Sequence, residues 1–271
     1  MPTGVGVAVH PQLGDTRAAA APPPFVPTDI AGLVIWLDPS DSATTFQDEA
    51  GTVPAVSGDP VARINDLSAG GNNAVASADA KRPIRHNESD LWWLEFDGVD
   101  DCLATASFVV NATDGEATVC MAIEVPEPAA LGINFERSAN YGASSDGLVS
   151  YANTDGTTDV GVSGAGGVNA YSFADLQGAR LVLSIKYDKS IAVGAQMAVY
   201  KDGSLLVGSE VAGNNSGGVF ASEPLFFGMR NDTNLPLAMK SYGFVIYDSL
   251  LSDSDRESVE AYMATKCGIT I

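Results

Sequence analysis

Apolar residues come in short bursts along most of this chain, and Gly, Pro, Asn or Asp closes each burst within a few positions. Such punctuation predicts short strands rather than long helices. Gly32-Leu-Val-Ile-Trp-Leu-Asp38 reads as a buried strand, and Leu91–Phe96 as another closed by the turn Asp97-Gly98. Phe108–Asn111, Ala117–Val125, Gly147–Tyr151, Arg180–Tyr187, Pro224–Gly228 and Tyr242–Tyr247 carry the same signal. In Met197–Val207 two β-prone runs meet at Asp202-Gly203. That dipeptide tolerates the positive φ angles of a type I′ turn, so the segment predicts a hairpin. Residues 39–90 read mostly as loops, broken by Pro54, Pro60, the Gly70-Gly-Asn-Asn73 run and Arg82-Pro83.

One segment has helical period. Ser252 and Asp255 stand in capping-box spacing, Val259, Tyr262, Met263 and Cys267 follow on one face, and Gly268 suits a left-handed C-terminal position. Strands throughout with one terminal helix predict an all-β antiparallel sandwich of about 240 residues, a size that a single domain can reach.

Residues 1–28 differ in kind. The stretch Arg17-Ala-Ala-Ala-Ala-Pro-Pro-Pro-Phe-Val-Pro27 cannot pack on itself, and its prolines favour an extended polyproline conformation. Expected here is an extended arm (1–28) before a domain (29–271). Pro22, Pro23, Pro24 and Phe25 are its candidate anchoring residues, and a free tail is the plainer alternative.

Charge narrows the function. Thirty-four acidic against fourteen basic residues leave a net charge of −20, which opposes binding to nucleic acid or anionic lipid. No basic and apolar leader opens the chain, so no export signal is expected, and no apolar run is long enough for membrane insertion. The Asn-X-Ser/Thr triplets at Asn87, Asn111, Asn214 and Asn231 then read as chance. Cys102, Cys120 and Cys267 are odd in number and lack metal-type spacing. They read as reduced, buried thiols, with a single bridge between two of them as the alternative. His10 and His86 have no ligand-type neighbours, so no zinc site is expected.

Three ordered segments resemble the LamG-like (concanavalin A-like) jelly-roll domains found in bacterial and phage proteins. They are Ile30–Asp41 with Ile64–Ala74 and Arg82-Pro83, then Leu94-Glu-Phe-Asp-Gly-Val-Asp-Asp-Cys-Leu103, and finally Gly243–Ile269. Cys102 stands where an aromatic is usual. The resemblance implies a two-sheet jelly-roll sandwich over residues 30–271 and leaves the ligand open. It also implies two candidate sites. Glycanases of this fold carry alternating carboxylates, which Glu95 and Asp97 would supply, but Gly98 turns the chain where the strand should continue. Calcium is common in the family, and Asp97, Asp100 and Asp101 cluster, although turn capping is the plainer reading. No cofactor is otherwise called for.

Trp92 and Trp93 are candidate sugar platforms, of which alternation sends one inward. Arg230 and Asn231, in a polar loop, are candidate glycan contacts. Nucleotide loops, Ser/His/Asp order and zinc-protease motifs are all lacking. The expectation is a non-enzymatic protein on a virion surface, a bacteriophage head decoration or tail component. Its arm would anchor to capsid or tail subunits, its jelly roll would meet host-surface glycan, and it would form a homo-oligomer. A bacterial carbohydrate-binding adhesion module and a glycoside hydrolase using Glu95 are the alternatives.

Overall fold

A computed structural model describes residues 24–127, 129–138, 141–142, 147–164, 166–214 and 217–271. In chain order the strands are β1 (Leu33–Leu37), β2 (Thr45–Phe46), β3 (Arg63–Ile64), β4 (Ala74–Val75), β5 (Ile84–Glu88), β6 (Leu91–Asp97) and β7 (Leu103–Thr105). There follow β8 (Phe108–Asn111), β9 (Glu116–Glu124), β10 (Gly132–Arg137), β11 (Leu148–Ala152), β12 (Thr158–Gly164), β13 (Gly167–Phe173) and β14 (Arg180–Asp188). The last are β15 (Met197–Lys201), β16 (Ser204–Leu205), β17 (Ser209–Gly213), β18 (Phe220–Glu223), β19 (Leu225–Phe227) and β20 (Ala238–Tyr247), before helix α1 (Asp253–Cys267).

Two large antiparallel sheets form a jelly-roll sandwich. The first runs β16-β15-β14-β9-β20-β6-β5, with β1 also paired to β20. The second runs β17-β13-β12-β11-β10-β19-β7-β4-β3-β2, and β8 and β18 form a separate pair. Period-2 alternation sends one face of each sheet inward. From the first sheet come Leu94, Phe96, Val119, Met121, Ile123, Leu181, Leu183 and Ile185, and from the second Phe135, Leu148, Val160, Val162, Phe173 and Phe227. Phe244 of β20 crosses between the layers, edge-on to Phe135 at 5.4 Å and to Phe227 at 4.8 Å between centroids.

Local chemistry made the hairpin and the helix ends legible. Asp202 and Gly203 both take positive φ, 49° and 81°, as a type I′ turn requires. Helix α1 starts at Ser252, whose hydroxyl accepts from the Asp255 amide at 3.1 Å. The Asp255 carboxylate accepts from the same hydroxyl at 2.8 Å. At the other end Gly268 adopts φ 69° and ψ 35°, the left-handed close.

The helix lies on the outer face of the first sheet. Val259, Met263 and Cys267 are buried there with Cys120, Ala122, Val182, Tyr242, Val245 and Tyr247. Met263→Ala would cost about 2–5 kcal/mol through the cavity it leaves. All three cysteines are free and buried, as the sequence led us to expect.

The stretch 39–90 holds more strand than its loop-like composition predicts. β5 pairs with β6 in continuous register from Ile84↔Glu95 to Glu88↔Leu91. Its polar Arg85-His86-Asn87-Glu88 run hid it, because an edge strand needs no apolar face. Tyr242–Tyr247 likewise extends to the ten residues of β20.

Of the arm, residues 24–28 are described, and they pack on their own domain. Phe25 meets Tyr262 of α1 edge-on at 6.3 Å, and the Tyr247 hydroxyl donates to the Pro27 carbonyl at 2.9 Å. Pro24 is exposed, whereas Pro22 and Pro23 lie outside the described residues. Among the described residues no helix is long and apolar enough to cross a membrane.

Candidate functional site

Helix α1 covers only part of the first sheet's outer face, because Gly268 ends it there. Beyond its C-terminus the uncovered sheet forms a groove of about 370 Å³, lined by Glu88, Ser89, Leu91, Trp93, Glu124, Arg180, Lys240 and Tyr242. A smaller recess shares Glu124 and Lys240 and adds Glu95 and Pro126.

Strand register builds the groove floor. Arg180 of β14 pairs with Glu124 of β9, Glu124 with Lys240 of β20, and Lys240 with Glu95 of β6. Cross-strand partners share a face, so four neighbouring strands carry a row of alternating charge. A bulge in β20 between Ser241 and Gly243 adds Tyr242 to the same face and returns Phe244 to the core.

Glu124 holds the floor together. One of its oxygens accepts from Lys240 Nζ at 3.0 Å and the other from the Tyr242 hydroxyl at 3.2 Å. Burial pushes the Tyr242 hydroxyl well above its ordinary range, and the Glu124 charge adds to the effect, so it stays a donor. Arg180 donates to the Cys267 carbonyl at 2.9 Å, where the end of a helix is electronegative.

Trp93 and Leu91 make the apolar wall. The indole stacks on His86 at 5.4 Å, tilts against Tyr242 at 5.7 Å, and has Lys240 Nζ 5.5 Å from its centre. Its N–H donates to Glu95 Oε2 at 3.2 Å, and His86 Nε2 lies 3.4 Å from the same oxygen. The rim is the β5–β6 turn, where Ser89 and Asp90 take φ of 53° and 65°.

Of the glycan-contact candidates singled out from sequence, the structure brings Trp93 alone to this groove, with the carboxylate candidate Glu95 beside it. Trp92 shares the inward face with Leu94 and Phe96 and lies under the Arg85 guanidinium at 4.1 Å. Arg230 belongs to the other sheet, where its Nε donates at 2.6 Å to Glu136, a fully buried carboxylate of β10. Asn231, φ 48°, sits at the tip of that loop, which Asp232 clips to Lys81 at 2.8 Å. Trp92, Arg230 and Asn231 therefore do not join Trp93 in one site.

The Asp97 turn behaves as a turn. Asp97 Oδ1 accepts the Val99 amide at 2.8 Å and the Asp100 amide at 3.3 Å, and Asp101 accepts the Asp97 amide at 2.8 Å. The carboxylates of Asp97, Asp100 and Asp101 do lie within 4.8 Å of one another. Calcium takes six to eight oxygens, and here the best-placed oxygens already serve the turn's own amides, so the residues do not fit that ion. Burial raises Asp101 to about 6, with the Asp97 and Asp100 charges adding to it.

Sequence reasoning missed Glu88, Glu124, Arg180, Lys240 and Tyr242. Glu124 and Lys240 end or interrupt apolar runs and Arg180 and Tyr242 open them, the one local signal they carry, while Glu88 sits in a polar run. Chemically the groove offers an apolar wall, paired charges and several spare donors and acceptors, the mixture that fixes a polyhydroxylated ligand.

No protein-family model and no curated protein sequence matches the chain. Solved structures share its fold. The receptor-binding domain of botulinum neurotoxin D is 12% identical, with TM-score 0.55, over 85% of this chain and 52% of that one. The binding domain of Paraclostridial Mosquitocidal Protein 1 is 13% identical, with TM-score 0.57, over 85% and 52%. Trypanosoma rangeli sialidase is 12% identical, with TM-score 0.52, over 89% and 34%. The chain thus spans about half the length of the two binding domains and a third of the sialidase. The β-sandwich read from the sequence is the fold that these proteins share.

Proposed function

We propose that this domain binds glycan without turning it over, and that the groove beside the end of α1 is where the sugar sits. The observation that carries this reading is the groove itself, where Trp93 and Leu91 face Tyr242, Lys240, Glu124 and Arg180 across one open sheet surface. A sugar ring presents an apolar face and a rim of hydroxyls, and such a surface matches both. Neighbours that are a receptor-binding domain and a mosquitocidal protein's binding domain support a recognition role by analogy of fold.

Support for a non-enzymatic role comes from the carboxylates. Asp97 caps its own turn, and Glu95 is shared between the Trp93 indole and His86. The proposed setting is the surface of a bacteriophage virion, one of the settings of the jelly-roll domains that the sequence resembles. Because residues 24–28 pack on their own domain, anchoring there falls to the chain before Pro24.

A glycan panel tests the binding. Wild type is expected to bind at least one member, Trp93→Ala to lose at least tenfold in affinity, and Asn231→Gly, on the other sheet's loop, to bind as wild type. Binding that depends on Asn231 and ignores Trp93 would refute the site. Release of reducing ends that disappears in Glu95→Gln would overturn the non-enzymatic part and favour the hydrolase. Particle association that survives removal of residues 1–23 would overturn the proposed anchor.

A further inference from the structure

The groove's charges are not equally satisfied. Lys240 is neutralised by Glu124, which is also held by the Tyr242 hydroxyl, and Glu95 is held by Trp93 and His86. Arg180 stands apart. It is exposed, lines the groove, and among the described residues makes no ion pair. Its one hydrogen bond there runs from Nη1 to the Cys267 carbonyl at 2.9 Å. That bond pins the guanidinium while its Nε and Nη2 edge stays available.

A guanidinium edge with two parallel N–H groups matches the two oxygens of a carboxylate. In a chain of net charge −20, the groove is locally balanced, Arg180 and Lys240 standing against Glu88 and Glu124, and of the two cations only Lys240 is tied to a carboxylate. Two carboxylates of the same groove oppose an anion: Glu124, across from Arg180 but held by Lys240 and Tyr242, and Glu88, exposed on the β5–β6 rim.

Resting on the glycan reading above, we infer that the groove selects acidic sugars, with Arg180 receiving a ring carboxylate while Trp93 and Leu91 take the apolar face. Arg180 is the specificity-determining residue, and Glu88 weakens the preference without cancelling it.

The test uses the intact chain and a panel in which each carboxylated oligosaccharide is paired with its carboxyl-reduced form, with sulfated oligosaccharides as a third arm, measured by titration calorimetry. Carboxylated members are expected to bind about tenfold tighter than their reduced partners, the scale of one charge-assisted pair in a solvated groove. Arg180→Gln should erase that difference, read as the affinity ratio within each pair, whatever it does to the affinity the two members share. Arg180→Lys should recover part of it, and Glu88→Gln should enlarge it. Thermal midpoints of the variants show whether loss of the Cys267 bond has merely loosened the helix end. Equal affinity for both members of every pair overturns the acidic-sugar inference and leaves glycan binding standing. A preference for sulfated sugars over carboxylated ones overturns the carboxylate assignment. Failure of the whole panel removes the glycan reading, and this inference with it.

Discussion

Arg180 Nη1 donates to the Cys267 carbonyl at 2.9 Å, tying the first residue of β14 to the last turn of the only α-helix among the described residues. The helix end and the groove are therefore one construction. Whatever disturbs the close of α1 reaches Arg180 as well.

Gly268 is the most direct place to disturb it. It holds φ 69°, and a Cβ there would come 2.8 Å from Leu91 Cδ1 and 3.4 Å from Arg180 Nη1. Gly268→Ala should cost about 1–2 kcal/mol through left-handed strain and should also weaken glycan binding, since both neighbours line the groove. Denaturant melts paired with the glycan titration check it, and a loss of stability with unchanged binding would separate the two.

A buried ion pair within α1 lies at its contact with the sheet. Arg256 Nη1 meets Glu260 Oε2 at 2.5 Å, with its guanidinium 3.9 Å from the Tyr200 ring centre. Arg256→Met should cost about 3–5 kcal/mol by leaving the Glu260 carboxylate buried and uncompensated. Arg256→Met with Glu260→Leu should recover most of it, since an apolar pair of similar size carries no desolvation cost. Chemical denaturation of the three chains gives the comparison.

Asp101 sets a pH dependence. Burial raises its carboxyl from 3.8 to about 6, opposed by the Asp97 amide and reinforced by the Asp97 and Asp100 charges. The folded chain then keeps a proton that the unfolded chain has lost. That contribution is full below about pH 4 and is lost as pH rises through about 6, amounting to at most about 3 kcal/mol. Asp101→Asn should raise the thermal midpoint at pH 7.5 and leave it unchanged at pH 4. Equal effects at both pH values would contradict the assignment.

The thiols should be silent in the native state. Burial pushes Cys102 up to about 12 and Cys267 up to about 11, and it drives the fully enclosed Cys120 higher still. An aromatic disulfide reagent at pH 8 should find no reactive thiol until denaturant is added, and three thereafter.

The sequence by itself determined whatever depends on near neighbours along the chain. Asp202-Gly203 marks its hairpin because few residue pairs take two positive φ values at low cost, and Ser252 and Gly268 mark the helix ends because each supplies a bond or conformation that the backbone needs there. The apolar bursts set the sandwich, since period-2 burial has few other solutions. Tertiary structure alone decided the groove. Arg180, Glu124, Lys240 and Glu95 meet only because β14, β9, β20 and β6 are neighbours in a sheet whose order differs from the chain's. Tertiary structure also decided that Trp93 rather than Trp92 faces outward, and it carried Arg230 to a buried carboxylate on the other sheet. Cross-strand pairing is a property of strand partners, and the partners that build the groove lie far apart along the chain.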